Sequence, residues 1–173
     1  MDDMVILVDE NDNELGVKEK LEAHMSGLLH RAVSVFIFNR NNELLLQKRA
    51  ATKYHSGGLW TNTCCSHPKP NEKTKDAANR RLKEEMNLTS NLIFSHSFHY
   101  NVNLDNGLFE HELDHVYIGY TDEKPILDLD EASDWKYMKI EELNKDILVN
   151  PNAYSAWLKI CLKDVLLKVN SHL

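Results

Sequence analysis

The sequence predicts an α+β fold, a mixed β-sheet core flanked by helices, on three observations. Two β-rich runs, residues 32–38 and 43–48, flank Asn39-Arg-Asn-Asn42, a composition that joins antiparallel strands into a hairpin. Between residues 74 and 86 the apolar side chains Ala77, Ala78, Leu82 and Met86 recur at helical spacing. A long aromatic-rich, β-like run covers residues 107–120, and a second helical pattern covers residues 151–169. At 173 residues, 42% apolar and 27% charged, the chain has the size and composition of one globular domain over residues 1–173.

In chain order, residues 4–8 read as a short apolar strand and Asn11-Asp-Asn-Glu-Leu-Gly16 as a turn. Residues 18–25 have room for one or two helical turns, and the hairpin follows. Residues 50–59, basic and glycine-containing, form a loop leading into a strand that carries Cys64 and Cys65; residues 68–73 form another loop. Thr74 is placed to cap helix 74–86, Asp76 suits its first turn, and Asn87, which tolerates left-handed backbone, suits its end. On that helix Arg81 and Glu85 stand four residues apart and share a face, the spacing of a surface ion pair of little energetic value. Strands near residues 92–103, 108–120 and 135–140 precede the C-terminal helix, and no repeat or linker divides the chain.

The net charge of −7 argues against general binding to nucleic acid or to anionic membranes, both of which demand a basic surface. The opening Met-Asp-Asp-Met has no basic leader region and no long apolar run follows it, so a soluble cytoplasmic protein is expected. Three cysteines, Cys64, Cys65 and Cys161, are too few and too odd in number for a disulfide framework, and reduced thiols are expected.

Chemistry concentrates in two segments. Trp60-Thr-Asn-Thr-Cys-Cys-Ser-His-Pro68 brings thiols and an imidazole into a short extended stretch, where Cys64 and Cys65 face opposite sides. One can pack inward while the other faces a cleft; the sequence leaves open which. Glu110-His-Glu112 sits on the β-like run, so Glu110 and Glu112 point the same way. Two carboxylates on one face repel unless a cation or a shared proton relieves them. Asp114 continues the parity, which favours the alternative of a solvated face.

Taken together these segments resemble the type I isopentenyl-diphosphate isomerases, a branch of the Nudix superfamily. The resemblance is nearly full length and rests on Thr61-Asn-Thr-Cys-Cys-Ser-His-Pro68, Gln47-Lys-Arg-Ala50 with Lys53, Arg80-Arg-Leu-Lys-Glu-Glu85, Glu110-His-Glu112 and Tyr154-Ser-Ala-Trp157. It implies a Nudix-type fold. Against the general Nudix hydrolase box, Glu72, Glu84 and Glu85 match glutamates, but Ser66 and Asn87 replace glycines and Arg81 replaces the acidic residue after Arg80. The isomerase branch lacks that acidic residue too, so the departure favours isomerase over pyrophosphohydrolase. A catalytically inactive domain that binds metal and diphosphate is the third reading.

What the resemblance implies is specific. A divalent ion, Mn²⁺ or another, is held by His24, His30, His67, Glu110 and Glu112, and Mg²⁺ accompanies the substrate diphosphate with Glu85 and the backbone of Cys65. Lys20, Arg49, Lys53, Ser66 and Arg81 bind a small prenyl diphosphate. The reaction is a 1,3 hydrogen shift that interconverts isopentenyl and dimethylallyl diphosphate without a redox cofactor. Protonating the alkene requires an acid and a base on opposite sides in a water-poor pocket. Glu112, assisted by Tyr100, is the expected donor in the isomerising direction and Cys65 handles the proton on the other face, an order that reverses with direction. The indole of Trp157 stabilises the developing cation. The oligomeric state is left open.

Overall fold

The computed structural model describes residues 3–170. The first two residues of the acidic opening, and the last three of the 1–173 span, lie outside the described residues. No helix among the described residues is long and apolar enough to cross a membrane.

Among the described residues nine strands form one mixed sheet: β1 (Met4–Val8), β2 (Glu14–Glu19), β3 (His30–Phe38), β4 (Glu43–Arg49), β5 (Trp60–Thr61), β6 (Cys64–Ser66), β7 (Ile93–Asn103), β8 (Phe109–Tyr120) and β9 (Ala132–Lys139). Four α-helices of the described residues accompany them: α1 (Lys20–Ser26), α2 (Thr74–Met86), α3 (Ile140–Val149) and α4 (Ala156–Asn170). β3 is the hub. Its whole length runs parallel to β8, from His30↔Glu112 to Phe38↔Tyr120. Its other edge meets β1 at His30, β6 over residues 33–35 and β4 at Phe38.

Side-chain alternation along β3 builds a core on each face of the sheet. Phe36 and Phe38, with Val116 and Ile118 of β8, pack against Leu158, Leu162 and Val165 of α4. Val33, Val35 and Ile37 pack with Cys64 against Ala77, Ala78, Leu82 and Met86 of α2. Burial of these stripes is what holds α2 and α4 to the sheet; apolar surface contributes roughly 25 cal/mol per Å² removed from water.

Several expectations need correction. The β3–β4 hairpin is paired only at its tip, Phe38↔Leu44, after which the strands part and β6 enters beside β3. The backbone groups stranded in the gap are satisfied by side chains. Thr63 Oγ1 accepts from the Ile37 amide and donates to Leu45 O, while Asn62 donates to Val35 O. The expected turn at residues 11–16 is shorter, because Glu14–Glu19 pairs with β1, and Lys18 and Glu19 belong to that strand rather than to α1. Glu19 instead caps α1, its carboxylate accepting from the amides of Leu21 and Glu22.

Thr74 is not the cap of α2. Lys73 holds that position, with no side-chain cap bond, and Thr74 Oγ lies 2.7 Å from the Tyr117 hydroxyl. Asn87 ends α2 in left-handed backbone (φ 53°) as expected. Helix α3 was not foreseen; it follows β9 without a glycine or proline to mark the boundary. Residues 151–155, expected in the last helix, form a short 3₁₀ turn over Pro151–Ala153 and a bridge from Tyr154 to Trp60.

Candidate active site and metal centre

Glu110, Glu112 and Asp114 lie on the face of β8 that further along carries Val116 and Ile118 into the α4 core. All three are buried, at 5% exposure or less, so the alternative of a solvated face does not hold. Register fixes their neighbours. Tyr100 stands opposite Glu112 across the antiparallel β7–β8 ladder, and His30 stands opposite it across the parallel β3–β8 ladder. The Tyr100 hydroxyl lies 2.6 Å from Glu112 Oε2 and 3.2 Å from Glu110 Oε2. Glu112 Oε1 lies 2.9 Å from His67 Nε2 and 3.5 Å from His30 Nε2.

The imidazole tautomers follow from the backbone. His24 Nδ1 is 2.7 Å from Lys20 O, and His30 Nδ1 is 2.8 Å from Leu28 O. A carbonyl only accepts, so each Nδ1 carries a proton, and Nε2 is the nitrogen of each ring that is turned inward. Both Nε2 atoms are buried and lack any hydrogen-bond partner. His24, His30, His67 and Glu112 each offer a donor atom within 4.8 Å of the others. Three imidazole nitrogens and a carboxylate converging in one buried spot form a mixed nitrogen and oxygen donor set, so these residues fit a divalent metal ion.

Burial pushes the His67 imidazole down to about 3, which keeps it neutral and able to act as a ligand. Burial opposes ionisation of Glu112, but the imidazoles of His30 and His67 outweigh it and hold that carboxyl well below its ordinary range. Glu110, buried beside the Glu112 charge, is pushed well above it.

Of the adjacent cysteines, Cys64 packs in the α2 core and Cys65 lines a cleft of about 340 Å³. The Cys65 thiol donates to Asn62 Oδ1 at 2.9 Å, and Asn62 is held in that orientation because its amide donates to Val35 O and Cys64 O. Ser34 Oγ lies 3.5 Å from the sulfur and donates to Asp114 Oδ2 at 2.6 Å. Burial, reinforced by Asp114, pushes the Cys65 thiol up, so it rests protonated. Asp114 is itself raised to about 8 by burial and by the charge on Glu112.

Lys20, Arg49, Lys53, Ser66 and Arg81 line the same cleft as Cys65, Tyr100, Glu112 and Trp157. Lys53 pairs with Glu131 at 2.5 Å, and Arg81 bridges Glu131 at 3.0 Å and Glu85 at 2.8 Å. Arg49 sits 5.2 Å from the centre of the buried Trp157 ring. Glu85 does not line the cleft; at 2% exposure it also accepts from Gln47, so its pair with Arg81 is no surface ion pair.

Four side chains at the site carry roles that the sequence does not assign. Ser34 and Asn62 hold Cys65, Glu131 joins two of the cleft cations, and His55 faces Glu110 with Nε2 3.7 Å from Oε1. His55 was one of nine histidines in a segment read only as loop, and nothing in its spacing marks it.

The NUDIX domain family model matches residues 28–158. Isopentenyl-diphosphate Delta-isomerase 2 of Aromatoleum aromaticum is 53% identical over 166 residues, covering 96% of this chain and 88% of that protein. Isopentenyl-diphosphate Delta-isomerase of Pectobacterium atrosepticum is 53% identical over 156 residues, covering 90% of this chain and 87% of that one. Among solved structures, a protein from Deinococcus radiodurans superposes with a TM-score of 0.75 at 18% identity, covering 92% of this chain and 98% of that one. A MutT NUDIX hydrolase from Burkholderia pseudomallei gives 0.63 at 18% identity, over 78% and 96%. At that identity the structures speak to the fold alone, whereas the sequence relatives speak to lineage: the chain belongs to the NUDIX-domain isopentenyl-diphosphate Delta-isomerases.

Proposed function

We propose that this protein interconverts isopentenyl diphosphate and dimethylallyl diphosphate, with Cys65 and Glu112 as the proton-transfer groups. The observation that carries the assignment is that a thiol and a carboxylate, each held by its own hydrogen-bond partners, open on one cleft. Glu112, with Tyr100 donating to it, works at the terminal carbon of the alkene, and Cys65 works on the opposite face. Without substrate, burial favours the thiol form of Cys65, while the hydrogen bonds at Glu112 favour its ionised form. That is the distribution from which dimethylallyl diphosphate is converted back; isopentenyl diphosphate requires the proton on Glu112 and a thiolate at Cys65.

Lys20, Arg49, Lys53, Ser66 and Arg81 take the diphosphate, whose charge replaces Glu131 as the partner of Lys53 and Arg81. Glu85 must share or exchange Arg81 and Gln47 to hold a Mg²⁺ ion together with the backbone of Cys65. His24, His30, His67, Glu110 and Glu112 hold Mn²⁺ or a related divalent ion, whose charge keeps Glu112 fixed in orientation and tunes its acidity. Trp157 offers its indole to the developing carbocation, an attraction worth on the order of 2 kcal/mol when desolvated. The substrate is a small prenyl diphosphate and the setting cytoplasmic.

A NUDIX-type hydrolase would need Glu72 and Glu84 free for metal beside Glu85, and both are engaged by Arg80. Proton NMR of isopentenyl diphosphate with reduced protein and Mg²⁺ in D₂O tests the reading. Loss of the vinyl methylene signals with deuterium uptake and no phosphate release is expected. Phosphate release without double-bond migration would replace the isomerase with a hydrolase.

A further inference from the structure

A second group of donor atoms adjoins the first. His24, His55 and Glu110 place one ligand atom each within 4.8 Å of one another, and all three are buried. The groups are joined at two points: His24 belongs to both, and the Tyr100 hydroxyl touches Glu110 and Glu112 together. The His55 ring stacks on that of His24 with centroids 5.9 Å apart and 28° between planes, so the two imidazoles present parallel edges. His55 Nδ1 meets Ser56 Oγ at 3.3 Å, while Nε2 faces Glu110. Burial and the neighbouring Arg49 push His55 down to about 3, so the ring is neutral with a lone pair to give.

Two ions cannot share this arrangement through His24. Its Nδ1 proton is committed to Lys20 O, and Nε2 has one lone pair, enough for one metal bond. Donors on opposite sides of an ion at about 2.1 Å stand about 4.2 Å apart, so each group, with its atoms within 4.8 Å of one another, needs only a small contraction around an ion, and His24 draws both groups to the same one. We propose that His55 is a further protein ligand of this centre, completing a six-donor set of four imidazoles (His24, His30, His55, His67) and two carboxylates (Glu110, Glu112) around one ion. The inference rests on reading the His/Glu group as a divalent-ion centre. Four nitrogen donors favour Co²⁺, Zn²⁺ or Mn²⁺ over Mg²⁺, which keeps to oxygen and water. A set of six protein donors leaves no position for a catalytic water, so the ion's part is to hold and polarise Glu112.

The test uses the full chain, reduced, stripped with chelator and titrated with Co²⁺ in the absence of substrate. Elemental analysis gives the stoichiometry, chelator competition the affinity, and visible absorption the coordination, because six-coordinate Co²⁺ absorbs more weakly than four- or five-coordinate Co²⁺. Wild type is expected to take one ion with weak absorption. His55→Ala and the bulkier His55→Gln should each bind Co²⁺ about tenfold or more weakly and with stronger absorption, while their metal-free melting stays near wild type. Unchanged affinity and spectrum in both variants, or two Co²⁺ per wild-type chain, would overturn the assignment of His55. Failure of wild type to bind Co²⁺ at all would overturn the ion centre itself, and double-bond migration in D₂O reports separately on the isomerase reading.

Discussion

Two sets of carboxylates in this molecule meet opposite treatment. Around α2, every glutamate of the old box is answered by an arginine: Glu72 by Arg80 at 2.7 Å, Glu84 by Arg80 and Arg81, Glu85 by Arg81. On β8, Glu110, Glu112 and Asp114 are buried more deeply than Glu72 or Glu84, yet face imidazoles, a phenol and a serine instead of direct arginine bonds. Glu72 and Glu84, at the exposed side of α2, have a guanidinium to answer their charge and serve the fold. A buried carboxylate without one stays sensitive to protons and cations, which is the condition for chemistry.

The contrast breaks first at Glu112. Glu112→Gln should lower kcat by about 10³-fold or more in steady-state assays, since the amide can neither give nor take the proton; substantial residual turnover would move the acid/base role elsewhere. Next come the cysteines. Cys65→Ala should abolish isomerisation with fold and metal content nearly intact, whereas Cys64→Ala, which only trims the α2 core, should retain most activity; equal losses would sink the division of roles.

Asp114 gives a pH signature. Its folded pKa, about 8, lies above the ordinary 3.8, so the stability it contributes is full below pH 4 and is lost as pH rises towards 8. Asp114→Asn keeps an acceptor for Ser34 and removes the charge. Melting the metal-free proteins should therefore show the variant gaining on wild type between pH 5 and pH 8; a gap independent of pH would mean that Asp114 does not titrate in that window. The smallest effect belongs to the other set. Glu72→Gln should cost within about 1 kcal/mol in urea unfolding, as partly exposed ion pairs do, and leave turnover unchanged. A large loss of turnover there would make the α2 glutamates catalytic after all.

The β8 site was legible because strand parity is rigid: once residues 107–120 are extended, Glu110, Glu112 and Asp114 must share a face. Helix α2 was legible from its apolar spacing, and Asn87 from the backbone it tolerates. Thr74 misled because a hydroxyl at a helix start can also bond sideways, here to Tyr117. Helix α3 was hidden because β9 runs into it without a breaking residue. The parting of β3 from β4, the supports of Cys65 and the position of His55 arise from pairings between distant segments, for which local patterns carry no signal.

The parallel pairing of β3 with β8 also sets an order of assembly. Ser34 and Asp114 are 80 residues apart in sequence, whereas the Asn39–Asn42 turn closes over a few residues. Closing the long loop costs more chain entropy and comes later, so the helices and the hairpin tip form ahead of it. Only then do His30, Cys65 and Glu112 meet. In refolding, enzymatic activity should return with the last phase, after most far-UV ellipticity has been regained, and nascent chains should stay inactive until the segment through Trp157 has been made.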